Sequence, residues 1–177
     1  MTVRLAVPTD LDALVEVAAA TFPLACPPHS PADAVRQHIA EELSPERFAA
    51  YLADLARVLL VADAGPGEPF DGYAMVVVQE PRDPDVAAAI RVHPSSELSK
   101  CYVRESAHGT GVAHALMSAA LDAARDRGAA GMWVGTHQEN ARALRFYAKS
   151  GFERVGTKRF HLGGTVEHDF VLERALR

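Results

Sequence analysis

One pattern in the second half of the chain constrains the fold most: strand, glycine loop, long helix, strand, helix. The apolar stretch Leu98 to Val103 predicts a strand, and the Ala-rich stretch from about Gly111 to Arg127 predicts a helix that Gly128 ends. Met132 to Thr136 then predicts a strand, and Ala141 to about Ser150 predicts a helix. Two strands that are joined by a helical crossover run parallel to each other.

Shorter elements surround this unit. Further strands are predicted over Val3 to Val7, Val58 to Asp63, Gly72 to Glu80, Glu153 to Phe160 and Val166 to Leu172, the last two joined around Gly163 and Gly164. Asp10 stands where it would cap a helix, and two more helices are expected between Ala32 and Ala56, with a break at Ser44-Pro45. Because hairpins flank the parallel pair, the pattern predicts an α/β (α+β) fold with a mixed sheet.

Length and charge limit the class of protein. The 177 residues suit a single domain, 1-177, which is large enough to bury its own core. A net charge of −5 argues against a general binder of nucleic acid or of anionic membranes, since either needs a basic surface. No uncharged apolar run reaches the about 18 residues of a membrane span. Cys26 and Cys101 are too few for a disulfide framework, so we expect a reducing, cytoplasmic location.

The sharpest local signal is HGTGVA, His108 to Ala113, between a predicted strand and a predicted helix. Gly109 and Gly111 let backbone N–H groups converge, and the helix N-terminus adds a positive dipole end. Together these features predict a phosphate or pyrophosphate site, although a simple tight turn explains the same glycines. No Gly-Lys-Ser/Thr follows, so the loop is not that of an NTP-hydrolysing enzyme, and the dinucleotide fingerprint is incomplete.

Two segments carry a resemblance to a known family. Tyr102 to Met117 resembles the acetyl-CoA motif Q/R-x-x-G-x-G/A of the GNAT superfamily of N-acetyltransferases, with His108 in the Gln/Arg place, then Gly111 and Ala113. Trp133 to Phe152 resembles the second motif of the superfamily, N-x-x-A-x-x-x-Y-x-x-x-G-F. The two motifs occur in the expected order, which is far more specific than either motif alone.

The resemblance implies a GNAT-like sheet, mostly antiparallel with a central parallel strand pair and flanking helices. It also implies acetyl-CoA as the acyl donor, without a metal, and N–H groups near Tyr102 and Val103 that polarise the thioester carbonyl. The implied contacts with acetyl-CoA are Tyr102, Val103, His108, Gly109, Gly111, Val112, Ala113, Asn140 and Lys149. Asn140 also suits a helix N-cap, and Lys149 suits a solvated position equally well.

Two side chains are candidates for proton transfer. Tyr147 matches the tyrosine that serves as general acid in the family. A phenol with a pKa of about 10 stays protonated at neutral pH and can protonate a leaving thiolate whose thiol has a pKa of about 8.5. Its helical spacing also fits a tyrosine of the core. Glu97 lies eleven residues before His108, where some members of the superfamily carry the general base. A solvated carboxylate at the end of a strand is the alternative.

The resemblance places the acceptor wall at the early helices and the last hairpin, roughly Phe22 to Asp54 and Phe160 to Asp169. Thr21 to Leu52 and Gly151 to Leu176 are similar to bacterial spermidine/spermine acetyltransferases of the PaiA type. The early helices are acidic, with five carboxylates and two arginines: Asp33, Glu41, Glu42, Glu46, Asp54, Arg36 and Arg47. An acidic wall would attract a polyamine, but a solvated helix face explains the same charges. A protein N-terminus, an amino acid and an antibiotic amine are other acceptors, and a silent acetyl-CoA sensor is a further reading.

Three remaining features are less informative. His161 and His168 flank the last turn and stand where they could face each other across a hairpin, but no thiol or carboxylate completes a metal site. Cys101 reads as a small buried apolar residue. The sequence leaves the oligomeric state open, a homodimer included.

Overall fold

A computed structural model describes residues 1–162 and 164–176 of the chain. The strands in this part are β1 (Thr2–Leu5), β2 (Arg57–Asp63), β3 (Gly72–Val77), β4 (Ser95–Val103), β5 (Gly131–His137), β6 (Glu153–Leu162) and β7 (Thr165–Ala175). The α-helices are α1 (Leu11–Thr21), α2 (Ala32–Glu42), α3 (Pro45–Ala53), α4 (Pro84–Ala89), α5 (Val112–Asp126) and α6 (Ala141–Lys149).

The strands form one sheet in the order β1-β2-β3-β4-β5-β7-β6. Every neighbouring pair is antiparallel except β4 and β5, which are parallel and joined by α5. The predicted mixed sheet with a central parallel pair is therefore confirmed. The break between α2 and α3 is also confirmed, because the side chain of Ser44 accepts a hydrogen bond from the Arg47 N–H and Pro45 opens the helix.

Two local predictions from the sequence are wrong. The carboxylate of Asp10 does not cap α1; it accepts hydrogen bonds from the Val7 N–H at 2.8 Å and from Arg4 at 2.7 Å instead. An acid beside a nearby guanidinium forms the stronger, charge-assisted bond. His161 pairs with Val166 and His168 with Arg159, so these two histidines lie diagonally and do not face each other. Gly163 of the predicted turn lies outside the described residues.

The sheet carries a core on each face. On one face α5 and α6 pack against alternate residues of β2 to β5, with Leu116, Met132 and Tyr147 among the buried side chains. On the other face α1 and α3 cover the intervening residues, with Phe48 and Tyr73 completely buried. The alternation follows from the two-residue period of a strand. None of the helices described is long and apolar enough to cross a membrane.

The parallel pair separates soon after it forms. Its three residue pairs join Ser95–Glu97 of β4 to Gly131–Trp133 of β5, and beyond Glu97 both strands line a cavity. On the other side of β4, the register with β3 shifts between Met75 and Val76. This bulge places Glu97 and Lys100 on the same face of the sheet, although they are three residues apart, because one extra residue reverses the alternation.

Candidate active site

The cavity between the separated strands has a volume of about 600 Å³. Its floor is formed by β4 and β5. We call the lining residues between 107 and 147 that lie outside β5 the donor wall: Ala107, His108, Gly109, Gly111, Ala113, His114, Asn140, Arg142, Ala143, Phe146 and Tyr147. The opposite side is the acceptor wall: Thr21, Phe22, Leu24, Ala25, Cys26, Pro27, His38, Lys158, Phe160, Glu167 and Asp169. Motifs far apart in the sequence thus meet around one space.

The glycine loop of the donor wall has the backbone that the sequence requires. Gly109 has φ +80° and Gly111 has φ +93°, a left-handed region that side chains of L-residues rarely adopt. A Cβ at either position would meet no atom within 4 Å, so the backbone there borders open space. Gly111 is the N-cap of α5, whose 15 residues direct unpaired N–H groups and a positive dipole end towards the loop. This arrangement suits an anionic ligand of extended shape.

His108 is held between two neighbours. Its Nε2 lies 3.0 Å from the Val103 carbonyl oxygen, so Nε2 carries the proton that is donated there. Arg142 Nη1 lies 2.9 Å from Nδ1 and 3.3 Å from Nε2 of the same ring, so the guanidinium packs against the imidazole and is not in line with one nitrogen. His108 is exposed and lines the cavity with Arg142. Arg142 is a residue that the sequence analysis missed, and its place two residues after Asn140 was the available signal.

The backbone N–H groups of Tyr102 and Val103, both predicted to polarise the thioester carbonyl, point to opposite edges of β4. The Arg104 N–H donates to the Asp71 carbonyl at 2.8 Å, on the β3 side of the strand. Because successive residues of a strand direct their N–H groups to opposite edges, the Val103 N–H points away from β3 and the Tyr102 N–H points towards it. Tyr102 lines the cavity, and its ring packs 6.4 Å from that of Phe22. Of the two, Val103 has the amide that is directed to the open edge.

The remaining predicted contacts fall into two groups. Asn140 lines the cavity and caps α6, accepting a hydrogen bond from the Ala143 N–H at 3.0 Å, and Ala113 lines the cavity on the first turn of α5. Val112 and Lys149 are not among the lining residues in the part of the chain that is described. Val112 is buried in the core beneath the loop, whereas Lys149 is exposed on the last turn of α6.

Tyr147 lies where the α6 core meets the cavity. Its ring packs against Phe152 at 5.8 Å and against Phe146 at 5.5 Å, and it is 8% exposed while still lining the cavity. Burial raises the pKa of Tyr147 well above its ordinary value of 10, so the phenol is protonated. Gly151 ends the helix at φ +80°, and the Phe152 N–H donates back to the Tyr147 carbonyl at 3.0 Å, which fixes this tyrosine in place.

Glu97 stands on the floor at the point where β4 and β5 separate, and it lines the cavity. Burial raises the pKa of its carboxyl, because the charged form loses hydration there. The nearby cations Lys158 and Lys100 oppose this shift without cancelling it. The pKa of a carboxyl in such surroundings lies closer to neutral pH than the pKa of a solvated carboxyl. A raised pKa of this kind suits a proton acceptor.

Two lysines that the sequence did not predict as site residues line the cavity, Lys158 on the acceptor wall and Lys100 on the floor. Lys158 Nζ lies 3.9 Å from Asp169 Oδ2, and burial raises the pKa of Asp169 while Lys158 opposes the shift. The Lys158 side chain crosses Gly135 of β5, where a Cβ would come within 2.6 Å of its Cε. Lys100 projects from the floor, and burial lowers the pKa of its ammonium group. Their positions depend on the register of the paired strands, β6 with β7 and β3 with β4.

A second cavity of about 640 Å³ adjoins the acceptor side. His38, Lys100 and Phe160 line both cavities. The far side of the second cavity carries the α2 carboxylates Glu41 and Glu42, and Glu42 is also paired with Arg47 at 3.2 Å. The passage between the two spaces is aromatic, because His38 stacks on Phe22 with centroids 4.4 Å apart and meets Phe160 at 6.0 Å.

The structure gives no support for a metal centre in the residues it describes, where no group of three or more His, Cys, Asp or Glu side chains is arranged to hold an ion. Cys101 lines the cavity floor and packs against the core below α5. Burial raises the pKa of its thiol to about 12, so it is protonated. Cys26 and Cys101 are both free thiols.

Comparison with known proteins gives consistent results. The model of the acetyltransferase (GNAT) family matches residues 20–152. Uncharacterized N-acetyltransferases of Mycobacterium tuberculosis and Mycobacterium bovis are each 44% identical over 168 residues, covering 95% of this chain and 99% of theirs.

Solved structures agree in fold. The PaiA N-acetyltransferase of Thermoplasma acidophilum, in complex with coenzyme A, has a TM-score of 0.75 at 18% identity and covers 99% of both chains. The ribosomal-protein-S18-alanine N-acetyltransferase of Escherichia coli has a TM-score of 0.68 at 17% identity, covering 99% of this chain and 93% of that one. At these identities the likeness shows the fold alone.

Proposed function

Because the chain belongs to the acetyltransferase (GNAT) family, acetyl-CoA is its acyl donor, and we propose that it acetylates a primary amine with Glu97 as base and Tyr147 as acid. The observation that carries the proposal is that Glu97, Tyr147 and the glycine loop line one cavity. The whole chain, 1-177, acts as one domain in this proposal. The free thiols of Cys26 and Cys101 are in keeping with the cytoplasm as its location.

The donor wall fits acetyl-CoA. Open space beside Gly109 and Gly111 leaves room for a pyrophosphate against the loop backbone, where N–H groups of the α5 N-terminus are free to donate. In this proposal the Val103 N–H, at the open edge of β4, donates to the thioester carbonyl oxygen. When bound, acetyl-CoA supplies an activated acyl group, and the residues of the chain orient it and move the protons.

Glu97 and Tyr147 divide the proton transfers. Glu97 takes the proton of the acceptor ammonium, directly or through a water, and frees the nitrogen lone pair to attack the carbonyl carbon. Tyr147 donates its phenolic proton towards the sulfur as the thiolate leaves. Its burial keeps that proton in place until negative charge develops next to it. Substitution of either residue therefore slows the chemical step more than it weakens binding of acetyl-CoA.

A polyamine is the acceptor that we propose first. Three carboxylates line the main cavity, Glu97, Glu167 and Asp169, and two more lie in the adjoining cavity at Glu41 and Glu42. The aromatic passage between the cavities suits a methylene chain, and the acidic residues beyond it suit a distal ammonium group. The PaiA-like sequence features of Thr21 to Leu52 and Gly151 to Leu176 support the same acceptor.

A specific observation favours a second acceptor class. Lys100 lines both cavities, and Lys158 adds another cation to the acceptor wall. Two cations close to the base suit an amine that also carries a carboxylate, as an amino acid does. The experiment below also tests three alternatives: a protein N-terminus as acceptor, an antibiotic amine as acceptor, and a sensor that binds acetyl-CoA without catalysis.

The experiment is to measure free thiol released from acetyl-CoA with spermidine, spermine, an amino acid mixture, an N-terminal peptide and an aminoglycoside. We expect fast release with the polyamines and slow release with the others. Fast release with amino acids alone moves the acceptor to the carboxylate-bearing class. Tight binding of acetyl-CoA without release in any arm overturns the catalytic proposal in favour of a sensor.

A further inference from the structure

The donor wall contains a cation that neither family motif specifies. Arg142 is the second residue of α6 and lines the cavity next to the glycine loop. Among the described residues of the donor wall, it is the one side chain with a permanent positive charge, since Lys100 lies on the floor and Lys158 on the acceptor wall. A glycine loop and a helix N-terminus supply partial charges only, whereas a pyrophosphate carries full negative charges.

The partner of Arg142 stands in the Gln/Arg place of the first motif. His108 donates its Nε2 proton to the Val103 carbonyl at 3.0 Å, which fixes the ring, and Arg142 Nη1 lies 2.9 Å from Nδ1 and 3.3 Å from Nε2. The imidazole therefore packs against the guanidinium at the mouth of the loop and leaves its other N–H groups free for an anion. The positive charge that an arginine at position 108 would supply thus comes from α6.

We propose that Arg142 binds the pyrophosphate of acetyl-CoA and that His108 is its positioning residue. The guanidinium forms a fork of donors that matches two phosphate oxygens, and it lies beside the open space at Gly109 and Gly111. The proposal rests on acetyl-CoA as donor and is independent of the acceptor and of the roles of Glu97 and Tyr147.

The test measures binding without any acceptor. Dissociation constants of CoA, dephospho-CoA and pantetheine are measured by calorimetry for the wild type, for Arg142→Gln and for the control Arg145→Gln. Arg145 is exposed on the same helix and does not line the cavity. We expect Arg142→Gln to weaken CoA and dephospho-CoA about tenfold or more, with pantetheine unchanged and Arg145→Gln like the wild type. Weakening of CoA but not of dephospho-CoA would place Arg142 on the 3′-phosphate and overturn the proposal, as would equal weakening of pantetheine.

The role of His108 has its own readout. His108→Ala removes the ring that packs against Arg142 and is expected to weaken binding of CoA, whereas His108→Gln is expected to restore affinity, because its planar amide can donate to the Val103 carbonyl and pack against the guanidinium. In the Arg142→Gln background, His108→Ala is expected to add no further loss. Additive losses, or a His108→Gln variant as weak as His108→Ala, would show that His108 does not act through Arg142.

Discussion

The two walls of the cavity differ in how they are built. The donor wall comes from residues 107–147, a continuous part of the chain that also contains the β5 strand between its helices. Its ligand-facing groups are mainly glycine backbone, the N-terminus of α5 and capping groups of α6. The acceptor wall combines residues 21–38 with residues 158–169, and its titratable groups are side chains, among them Lys158, Glu167 and Asp169.

This difference fits the two substrates. In the proposed function, one thioester with a constant shape binds to backbone donors whose positions follow from local turns and helix ends. The acceptor then binds to side chains, whose identity can vary without disturbing the backbone. His137 and Glu167 are an example: their side chains pair at 3.0 Å across β5 and β7, and His29 of the loop before α2 lies 3.6 Å from the same carboxylate. Changes in the two walls should therefore affect different kinetic steps, which the following predictions test in decreasing order of effect.

Gly111→Arg should have the largest effect. An arginine at φ +93° strains the backbone by about 1–2 kcal/mol and places its side chain in the open space beside the loop. We expect binding of acetyl-CoA to be lost in calorimetry, with catalysis lost as a consequence.

Gly67→Arg is the matched control for backbone strain. Gly67 has φ +81°, lies exposed in the β2–β3 turn, and has no atom within 4 Å of a Cβ. We expect this variant to bind acetyl-CoA normally at a similar cost in thermal stability. Normal binding by Gly111→Arg would move the donor site away from the loop and remove the contrast between the walls.

Tyr147→Phe should have the second largest effect and should separate chemistry from binding. Loss of the phenolic proton is expected to lower kcat between about 10²- and 10⁴-fold, while the dissociation constant of acetyl-CoA changes little. Stopped-flow thiol release and calorimetry measure the two quantities. Tyr73→Phe is the control: the Tyr73 hydroxyl is buried and finds no hydrogen-bond partner in the described structure, so its removal should leave kcat unchanged.

How much the sequence predicts also differs between the walls. The roles of Gly111 and Asn140 can be predicted from a few neighbouring residues. Gly111 begins α5 with a left-handed backbone, and Asn140 begins α6 with a side-chain cap. The strand–helix–strand order likewise predicts the parallel pair from local pattern and handedness. The cavity itself follows from that pair, since the two strands separate after Glu97.

The acceptor side depends on information that is not local. Lys100 shares a face with Glu97 only because of the bulge near Met75, which the alternation of apolar residues does not reveal. Lys158 meets Asp169 through the register of β6 with β7, and a slip of one residue would turn Lys158 to the face opposite Asp169. Asp10 failed as a predicted cap for a different reason, since its partners Arg4 and Val7 are near in the sequence but compete with the N-terminus of α1 for its carboxylate.

Glu97→Gln tests the floor that the two walls share. In the proposed mechanism Glu97 is the base and a water can take over part of its work, so we expect a loss of kcat/KM of about 10²-fold at neutral pH. The carboxylate is the active form in that proposal; since burial raises its pKa, wild-type kcat/KM should fall as the pH is lowered through that raised value. Glu97→Gln should lack this fall in kcat/KM at low pH. If the variant shows the same fall, another group causes it. Glu68→Gln, exposed in the β2–β3 turn, is the control.

The same carboxyl should affect stability in a defined direction. A folded-state pKa above the ordinary value of 4.5 means that the folded chain binds more protons than the unfolded chain between the two values. The free energy of unfolding should therefore decrease as the pH rises above about 4.5, up to the folded pKa, and the full penalty remains above it. Glu97→Gln is expected to remove this decrease, measured as the pH dependence of the denaturation midpoint.

The smallest effect is expected at the acidic end of the acceptor side. Glu41→Gln combined with Glu42→Gln removes the carboxylates of the second cavity, and exposed charge pairs contribute little, so KM for spermine should rise about two- to fivefold with kcat unchanged. The increase should shrink at high salt, because the attraction is screened. Glu46→Gln, exposed on α3 and away from both cavities, serves as the control for net charge. If Glu46→Gln, which removes one charge, raises KM as the double variant does, or if acetyl-CoA binding changes instead, these carboxylates do not distinguish the acceptor side from the donor wall. A rise in KM confined to spermine and spermidine would show that the acceptor side selects its substrate by charge at a distance from the reacting nitrogen.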